Sequence, residues 1–420
     1  MISIDWFVAV APLGCVDGSP SAAFTAEIVN DELALNQYPL ALVCTYSPFS
    51  GPTYTVSQLT CEKPSIGTKI KEGPWGGGNL FAINLKNYLE KSGHIVISDL
   101  MEDDIDVIIL TEPRKTSESS AFTDQDVLKY KKYVNKKSLV IHRINECDER
   151  KGTKYVNQKM TDISKSSDYT VFVSYWLQSL YKDFGLSNKN SKVIMSGSDL
   201  TIFNNINKIV WDESSKLKIT THHWGNNWNK GFELYSLLDN LLSSKDLKEK
   251  FSFTYIGNLP KDYNFKNSVH KQPLSGLELA QELKNFDLYI TGSLNEPSGN
   301  HQIEASLCGL PVLYLNSGGI PDYQNGFGTE ITYSNLEEKL KEIYENYDHY
   351  FEKNKQFPFS SENMCAEYFE LFQNLYKEPS INKVRIYFYI YKLLFNLKII
   401  ILYKNIVAQI SYQINKLRKI

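Results

Sequence analysis

From about residue 66 onward, short apolar runs alternate with amphipathic segments, and Gly, Pro, Asn and Ser mark the joints. The runs 106–111 (DVIILT), 168–174 (DYTVFVS), 251–257 (FSFTYIG) and 286–293 (FDLYITGS) are apolar at successive positions, not at every second one. Such runs predict parallel strands covered on both faces. Between strands the period changes. In 80–92, Phe81, Leu85, Tyr88 and Leu89 fall on one helical face.

The first array of strands is predicted at 68–72, 95–98, 106–111, 138–142, 168–174 and 192–196, with a helix over 175–184. Residues 204–216 read as a linker. The second array restarts at 217–222 and continues through 251–257, 268–273, 286–293 and 311–315. Its helices are expected at 232–243, 275–285, 336–346 and 362–376. Strand, helix, strand repeated in two stretches of similar length predicts an α/β protein of two Rossmann-like domains facing each other.

The two ends depart from this pattern. Residues 1–62 hold no Lys or Arg and six acids, and are rich in Ser, Thr, Pro and Tyr. Asp5 precedes the first apolar run and there is no basic leader, which argues against a secretory signal. No role is assigned to 1–63. Residues 379–420 carry eight basic residues and no acid, within an apolar and aromatic stretch. Lys392, Lys398 and Lys404 interrupt that stretch, whereas a spanning helix needs roughly twenty apolar residues. A basic apolar helix lying in the interface of an anionic leaflet fits 381–420, and helices packed on the core are the alternative.

Composition adds little to this. The chain has 420 residues, a net charge of -3, 42% hydrophobic and 22% charged residues, as a soluble globular protein does. That charge does not single out nucleic acid, and no nucleic-acid partner is expected. The six cysteines show no C-x-x-C spacing, and are expected as reduced thiols of a cytosolic protein. Boundaries follow the composition: 1–63 an extension, 64–206 and 207–378 the two α/β domains, 379–420 the tail.

Chemistry concentrates at 286–319, FDLYITGSLNEPSGNHQIEASLCGLPVLYLNSGG. Glu296 falls in the loop past a strand's carboxyl end, where open α/β sheets bind ligands. Gly299 and Asn300 open a helix whose free N–H groups and positive dipole end address the same crevice. Glu304 lies about one turn on. Capping by Glu296 and solvation of Glu304 would be the plain alternative. Glu296-Pro297-Ser298-Gly299, Glu304-Ala305, Gly309-Leu310-Pro311-Val312 and then Gly318-Gly319-Ile320-Pro321-Asp322 resemble the signature of the group-1 family of retaining GT-B glycosyltransferases, E-P-x-G-x(4)-E-A-x(3)-G-x-P-V followed by G-G-x-P-E.

Other segments are similar to the same family. Pro74-Trp75-Gly76-Gly77-Gly78-Asn79 resembles its first loop, which faces the inter-domain cleft. His142 and the charged string Arg143–Arg150 after it resemble a branch in which the residue matching His142 lines the donor–acceptor cleft. A histidine at a strand end can donate to a sugar hydroxyl or accept a proton; a core histidine is the alternative. Ser196-Gly197-Ser198-Asp199 through Phe203 resembles N-G-x-D-x-x-x-F. Lys230-Gly231 matches the second member of the family's basic pair on the donor diphosphate. The first, usually Arg, is missing, leaving His222, His223 or Asn226 in its place. The paired histidines lack further ligands at metal spacing. Asp104-Ile105-Asp106 precedes a strand, which favours capping over a metal role.

The resemblance covers about 66–376. It implies a GT-B fold around a central cleft, an N-terminal extension, a crossover helix ending the second domain and a helical tail. It implies transfer of a hexosyl group, with retention, from a nucleotide-sugar donor to a hydroxyl on a glycan or lipid-linked acceptor, in cell-surface glycan or glycolipid synthesis. Glu296, Lys230 and His142 would be the catalytic residues. Gly77, Gly78, Lys230, Gln272, Leu274, Glu296, Ser298, Gly299, Asn300 and Glu304 would bind the donor, with Glu304 on the ribose. No metal or other cofactor is expected, and the location is cytoplasmic, peripheral on the inner face of the plasma membrane. A nucleotide-sugar epimerase of the same fold, or a non-catalytic nucleotide-sugar-binding assembly module, are the alternatives.

Overall fold

The computed structural model describes residues 63–71, 76–186 and 190–376. The extension at 1–62, the part of the glycine loop at 72–75 and the tail at 377–420 lie outside them. The chain partitions into a unit Met1–Glu367, which holds both sheets, and a unit Tyr368–Ile420.

The first sheet runs β1 (Pro64–Ile66), β2 (Val107–Leu110), β3 (Leu139–Ile144), β4 (Tyr169–Phe172) and β5 (Ser191–Val193). Its spatial order is the chain order and every pair is parallel. Its helices are α1 (Gly76–Lys91), α2 (Asp124–Tyr133), α3 (Asp148–Lys151), α4 (Val156–Lys165) and α5 (Tyr175–Asp183). Alternate strand residues serve different layers. Ile108, Leu110, Val140, Ile144 and Phe172 share a core with Val127 and Tyr130 of α2 and Met160 and Ile163 of α4. Arg143, on the strand's other parity, lies over the ring of Phe81 in α1.

The second sheet holds β6 (Leu217–His223), β7 (Phe251–Gly257), β8 (Val269–Lys271), β9 (Leu288–Thr291), β10 (Val312–Leu315) and β11 (Thr329–Ile331), all parallel. Its order is β11-β10-β9-β6-β7-β8. The winding therefore reverses between β6 and β9, which opens a crevice beyond their carboxyl ends. Its helices are α6 (Phe232–Leu241), α7 (Lys245–Lys250), α8 (Gly276–Leu283), α9 (Asn300–Leu307), α10 (Ile320–Gln324), α11 (Leu336–Glu345) and α12 (Tyr347–Asn354). Both faces are buried, as the unbroken apolar runs require. Leu288, Ile290, Leu313 and Leu315 pack with α6 and α11, while Tyr289, Val312 and Tyr314 pack with α8 and α9. Each such aliphatic side chain contributes about 1.5–3 kcal/mol by leaving water.

Two predicted strands are corrected. The first strand is Pro64–Ile66, not 68–72, because Pro64, Ser65 and Ile66 are buried against β2 while Ile70 is 39% exposed. Thr68 makes only an isolated bridge to Ser120. Residues 95–98 do not form a strand either. Ile97 bridges Ser65 at the edge of β1, but the pairing goes no further and Ile95 is 44% exposed. The glycines Gly76, Gly77 and Gly78 belong to the first turn of α1, so that helix starts before the expected residue 80.

Past α12 the chain returns to the first sheet's territory. Ser360 and Ser198 form a parallel bridge, and the Ser361 N–H donates to the Ser198 carbonyl over 2.9 Å. There α13 (Ser361–Tyr376) begins, with Lys192 and Glu367 paired at 3.2 Å. Among the described residues, no helix is long and apolar enough to cross a membrane.

Candidate functional site

Two loops meet at the reversal point of the second sheet. One leaves β6 and ends in a 3-10 turn, Trp228–Lys230; the other leaves β9 and carries Glu296. Glycine makes their approach possible. Gly231 has φ +105°, and a Cβ there would stand 2.7 Å from the backbone carbon of Gly292. No side chain fits that gap, and left-handed backbone disfavours one anyway. The Leu294 N–H donates to the Asn229 carbonyl over 2.8 Å, which ties the loops together.

Glu296 is buried at 5% exposure. Its Oε1 contacts Lys230 Nζ, and its Oε2 lies 3.0 Å from Arg150 Nε. Burial opposes ionisation of this carboxyl, but the charges of Lys230 and Arg150 outweigh it and hold the group at about 2. Arg150 comes from α3, beyond the end of β3, so the first sheet supplies a cation to an acid of the second. Behind it Glu146 takes Arg150 at 3.3 Å and Lys151 at 2.5 Å. Asn295, at φ +55°, turns the backbone immediately before the acid. Its N–H donates to Ser317 Oγ over 2.9 Å and its side-chain amide to the Glu149 carbonyl over 3.3 Å. Strain of this kind persists where neighbours over-determine it.

The glycine pair of the motif sits under this loop. A Cβ on Gly318 would meet the Glu296 carbonyl oxygen at 2.5 Å, and the Gly319 N–H donates to that oxygen over 2.8 Å. Asp322 and Tyr323 then reach the first sheet. Asp322 accepts the Trp176 N–H at 2.8 Å at the start of α5, and Tyr323 Oη donates to the Val173 carbonyl at 2.6 Å.

Glu304 is handled separately. It projects from α9 with 8% exposure, and its Oε2 lies 2.9 Å from His222 Nε2 at the end of β6. Tyr289 Oη accepts the His222 N–H and lies 3.2 Å from its Nδ1. The two motif acids thus have different partners: two cations for Glu296 and an imidazole for Glu304.

The remaining expected residues are placed as follows. Asn300 and Gly77 bring the starts of α9 and α1 together; a Cβ on Gly77 would stand 3.0 Å from Asn300 Nδ2. Gly78 lies nearby, its nearest neighbour Asn145. Gly299 caps α9 in left-handed conformation, and Ser298 is half-buried with its carbonyl accepting from Gln302. Gln272 is exposed beyond β8 and Leu274 is half-buried against the α8–α9 core. Structure and expectation differ at His142. It lies inside β3, not at a strand end, because the strand runs on to Ile144. It is fully buried, Nδ1 is 2.7 Å from Ser164 Oγ, and burial holds the imidazole neutral with a value of about 3.

Neither His222 nor His223 reaches open crevice. His223 bonds Tyr235 Oη at 2.7 Å and stands edge-on to His301, 4.5 Å between ring centroids. Burial first, and the neighbouring positive groups after it, keep His223 well below the usual imidazole range. Asp104 and Asp106 both bind Lys63, Asp104 through its ammonium at 2.8 Å and Asp106 through its backbone N–H at 3.1 Å. Arg150 is the site residue that sequence reasoning left unassigned. Its signal is the charge-rich string that ends at Arg150, just past a buried strand.

Two parallel-sheet α/β domains with this reversal point and this site define the GT-B class of fold. No protein-family model and no curated protein matches the sequence. Solved structures do match. A glycosyltransferase from Rickettsia africae ESF-5 superposes with TM-score 0.57 at 14% identity, covering 76% of this chain and 99% of that one. Anabaena Alr3699/HepE in complex with UDP and glucose gives 0.54 at 14%, covering 75% and 100%. The catalytic domain of starch synthase IV from Arabidopsis thaliana, bound to ADP and acarbose, gives 0.57 at 13%, covering 75% and 99%.

Proposed function

We propose that this protein is a retaining glycosyltransferase, moving a hexosyl group from a nucleotide-sugar donor to a hydroxyl acceptor. The observation that carries the proposal is Glu296: a buried carboxylate, held ionised at about 2, at the reversal point of a parallel sheet. An ionised carboxylate there accepts hydrogen bonds from donor-sugar hydroxyls. Lys230 and Arg150 stand beside it to neutralise charge growing on the leaving diphosphate, which stabilises the transition state electrostatically. Arg150 thereby takes the place of the Arg absent from the loop after β6. The starts of α1 and α9 add free N–H groups and positive dipole ends for phosphate. Glu304, positioned by His222, is the candidate partner of the ribose, and Gln272 and Leu274 flank the base.

In this reading the leaving phosphate helps deprotonate the acceptor, and no metal takes part. The neighbours whose names mention UDP with glucose, or ADP, support nucleotide sugar as the donor class. Assignment to cell-surface glycan or glycolipid synthesis on the inner membrane face rests on the basic tail at 381–420 alone. The test is thermal stability of the full chain against UDP-, GDP-, ADP- and TDP-sugars, with Glu304→Ala alongside. A Tm rise with one nucleotide class that the variant lacks supports a donor site and identifies the base. A folded protein that responds to none at millimolar concentration overturns it.

A further inference from the structure

Arg143 is the penultimate residue of β3, paired in register with Val171 of β4, and only 4% exposed. Its Nε and Nη1 are buried without a hydrogen-bond partner. Its guanidinium carbon stands 4.0 Å from the centroid of the Phe81 ring in α1, a cation–π contact that leaves those N–H donors unused. The contrast with nearby cations is sharp. Arg114, Arg150 and Lys151 each have a carboxylate, whereas no carboxylate pairs with Arg143 among the described residues. A guanidinium does not shed its proton in a protein interior, so burial without a partner charge is costly.

One further unsatisfied group lies beside Tyr323. Ser196 Oγ is buried without a partner, and the Ser196 N–H donates to Tyr323 Oη over 2.8 Å. Burial raises the Tyr323 hydroxyl to about 12, and the Arg143 charge is among the influences that oppose the rise. Asn145, two residues past Arg143 on the same strand parity, lies against Gly78 in the first turn of the 16-residue helix α1.

We propose that Arg143 anchors an anion-binding subsite on the first-sheet side of the cleft, which takes a phosphate or carboxylate group carried by the acceptor. The assignment to the acceptor rests on the glycosyltransferase reading above; the anion site does not. Lys230 and Arg150 already address Glu296 beyond β9, so Arg143, which pairs with neither Glu296 nor Glu146, is a separate cation. Binding of an anionic group supplies the missing charge and an acceptor for the unused N–H donors.

The test uses thermal melts of the full chain at constant ionic strength in sodium phosphate, sodium acetate or sodium chloride, with and without a saturating nucleotide sugar. Wild type, Arg143→Met and Arg143→Lys are compared. The wild type gains Tm in phosphate, in acetate or in both, which separates phosphoryl from carboxylate recognition, and this gain adds to that from the nucleotide sugar. The gain is weakened in Arg143→Lys and lost in Arg143→Met. In chloride, Arg143→Met melts no lower than wild type, because an unpaired buried charge has gone; a purely structural guanidinium predicts a lower Tm. An undiminished anion response in Arg143→Met, its disappearance once nucleotide sugar is bound, or no wild-type response overturns the proposal. If Arg143→Met does not fold, an undiminished response in Arg143→Lys overturns it, and a weakened one supports it. An Arg143-dependent anion response without any nucleotide-sugar response would leave the subsite standing while the donor reading falls.

Discussion

Arg150 and Glu296 join the two sheets: a guanidinium from α3 stands 3.0 Å from a buried carboxylate that belongs to the loop after β9. Lys230 occupies the carboxylate's other oxygen. The acid is thereby ionised, desolvated and oriented by one residue from each domain, and any ligand that engages it must compete with both.

Glu296 should set part of the acid limb of stability. Its folded value of about 2 lies below the ordinary 4.5, so the unfolded chain binds the extra proton between those two values. Stability from this group is complete above about 4.5 and is lost as pH falls toward 2. The total is on the order of 3 kcal/mol. Urea melts of wild type and Glu296→Gln should differ most near pH 6 and converge near pH 2; a constant gap across that range would refute the assignment.

Removing the inter-sheet cation tests the same carboxylate from the other side. Arg150→Met leaves Lys230 in place and should cost about 1–2 kcal/mol, since the guanidinium is partly exposed and one partner charge remains. The variant's Glu296 should titrate higher than the wild type's, seen as an acid limb that starts at higher pH. If a donor responds in wild type, its stabilising effect should fall in the variant.

Three buried histidines add a second pH dependence. Burial holds His142 at about 3 and keeps His223 and His301 well below the ordinary 6.5. Each binds its proton more readily in the unfolded chain, so stability falls as pH drops below about 6.5, by up to about 1.4 kcal/mol per pH unit per histidine. His142→Gln should flatten this slope between about pH 6 and 4. An unchanged slope would mean that His142 is protonated in the folded protein.

Gly231→Ala should be severely damaging. It places a Cβ 2.7 Å from Gly292 backbone at φ +105°. The cost should exceed about 2 kcal/mol, and the loss of the Lys230–Glu296 contact should abolish donor-induced stabilisation. Gly276→Ala, also at positive φ but with nothing within 4 Å, should cost only the conformational part. Equal losses in the two variants would show that close approach of the loops is irrelevant.

Local regularities were legible in advance. Apolar runs without alternation determined strands buried on both faces, and two such arrays determined two parallel-sheet domains, since these are properties of neighbouring residues. The E-P-x-G motif with its glycine pair located the crevice loop because turn chemistry is also local. The Thr123–Asp126 capping box of α2 is a local signal of the same kind. Strand ends were the weak point: 68–72 and 95–98 have strand-like composition but make only isolated bridges, Thr68 to Ser120 and Ile97 to Ser65. Only tertiary structure decided the partners of the charged groups. It put Arg150 on Glu296 and His222 on Glu304, closed His142 inside β3, and left Arg143 without a carboxylate among the described residues. The reason is physical. Periodicity and turn preference act over a few residues along the chain, whereas charge pairing and burial depend on distances that exist only after the crossovers have laid the strands side by side.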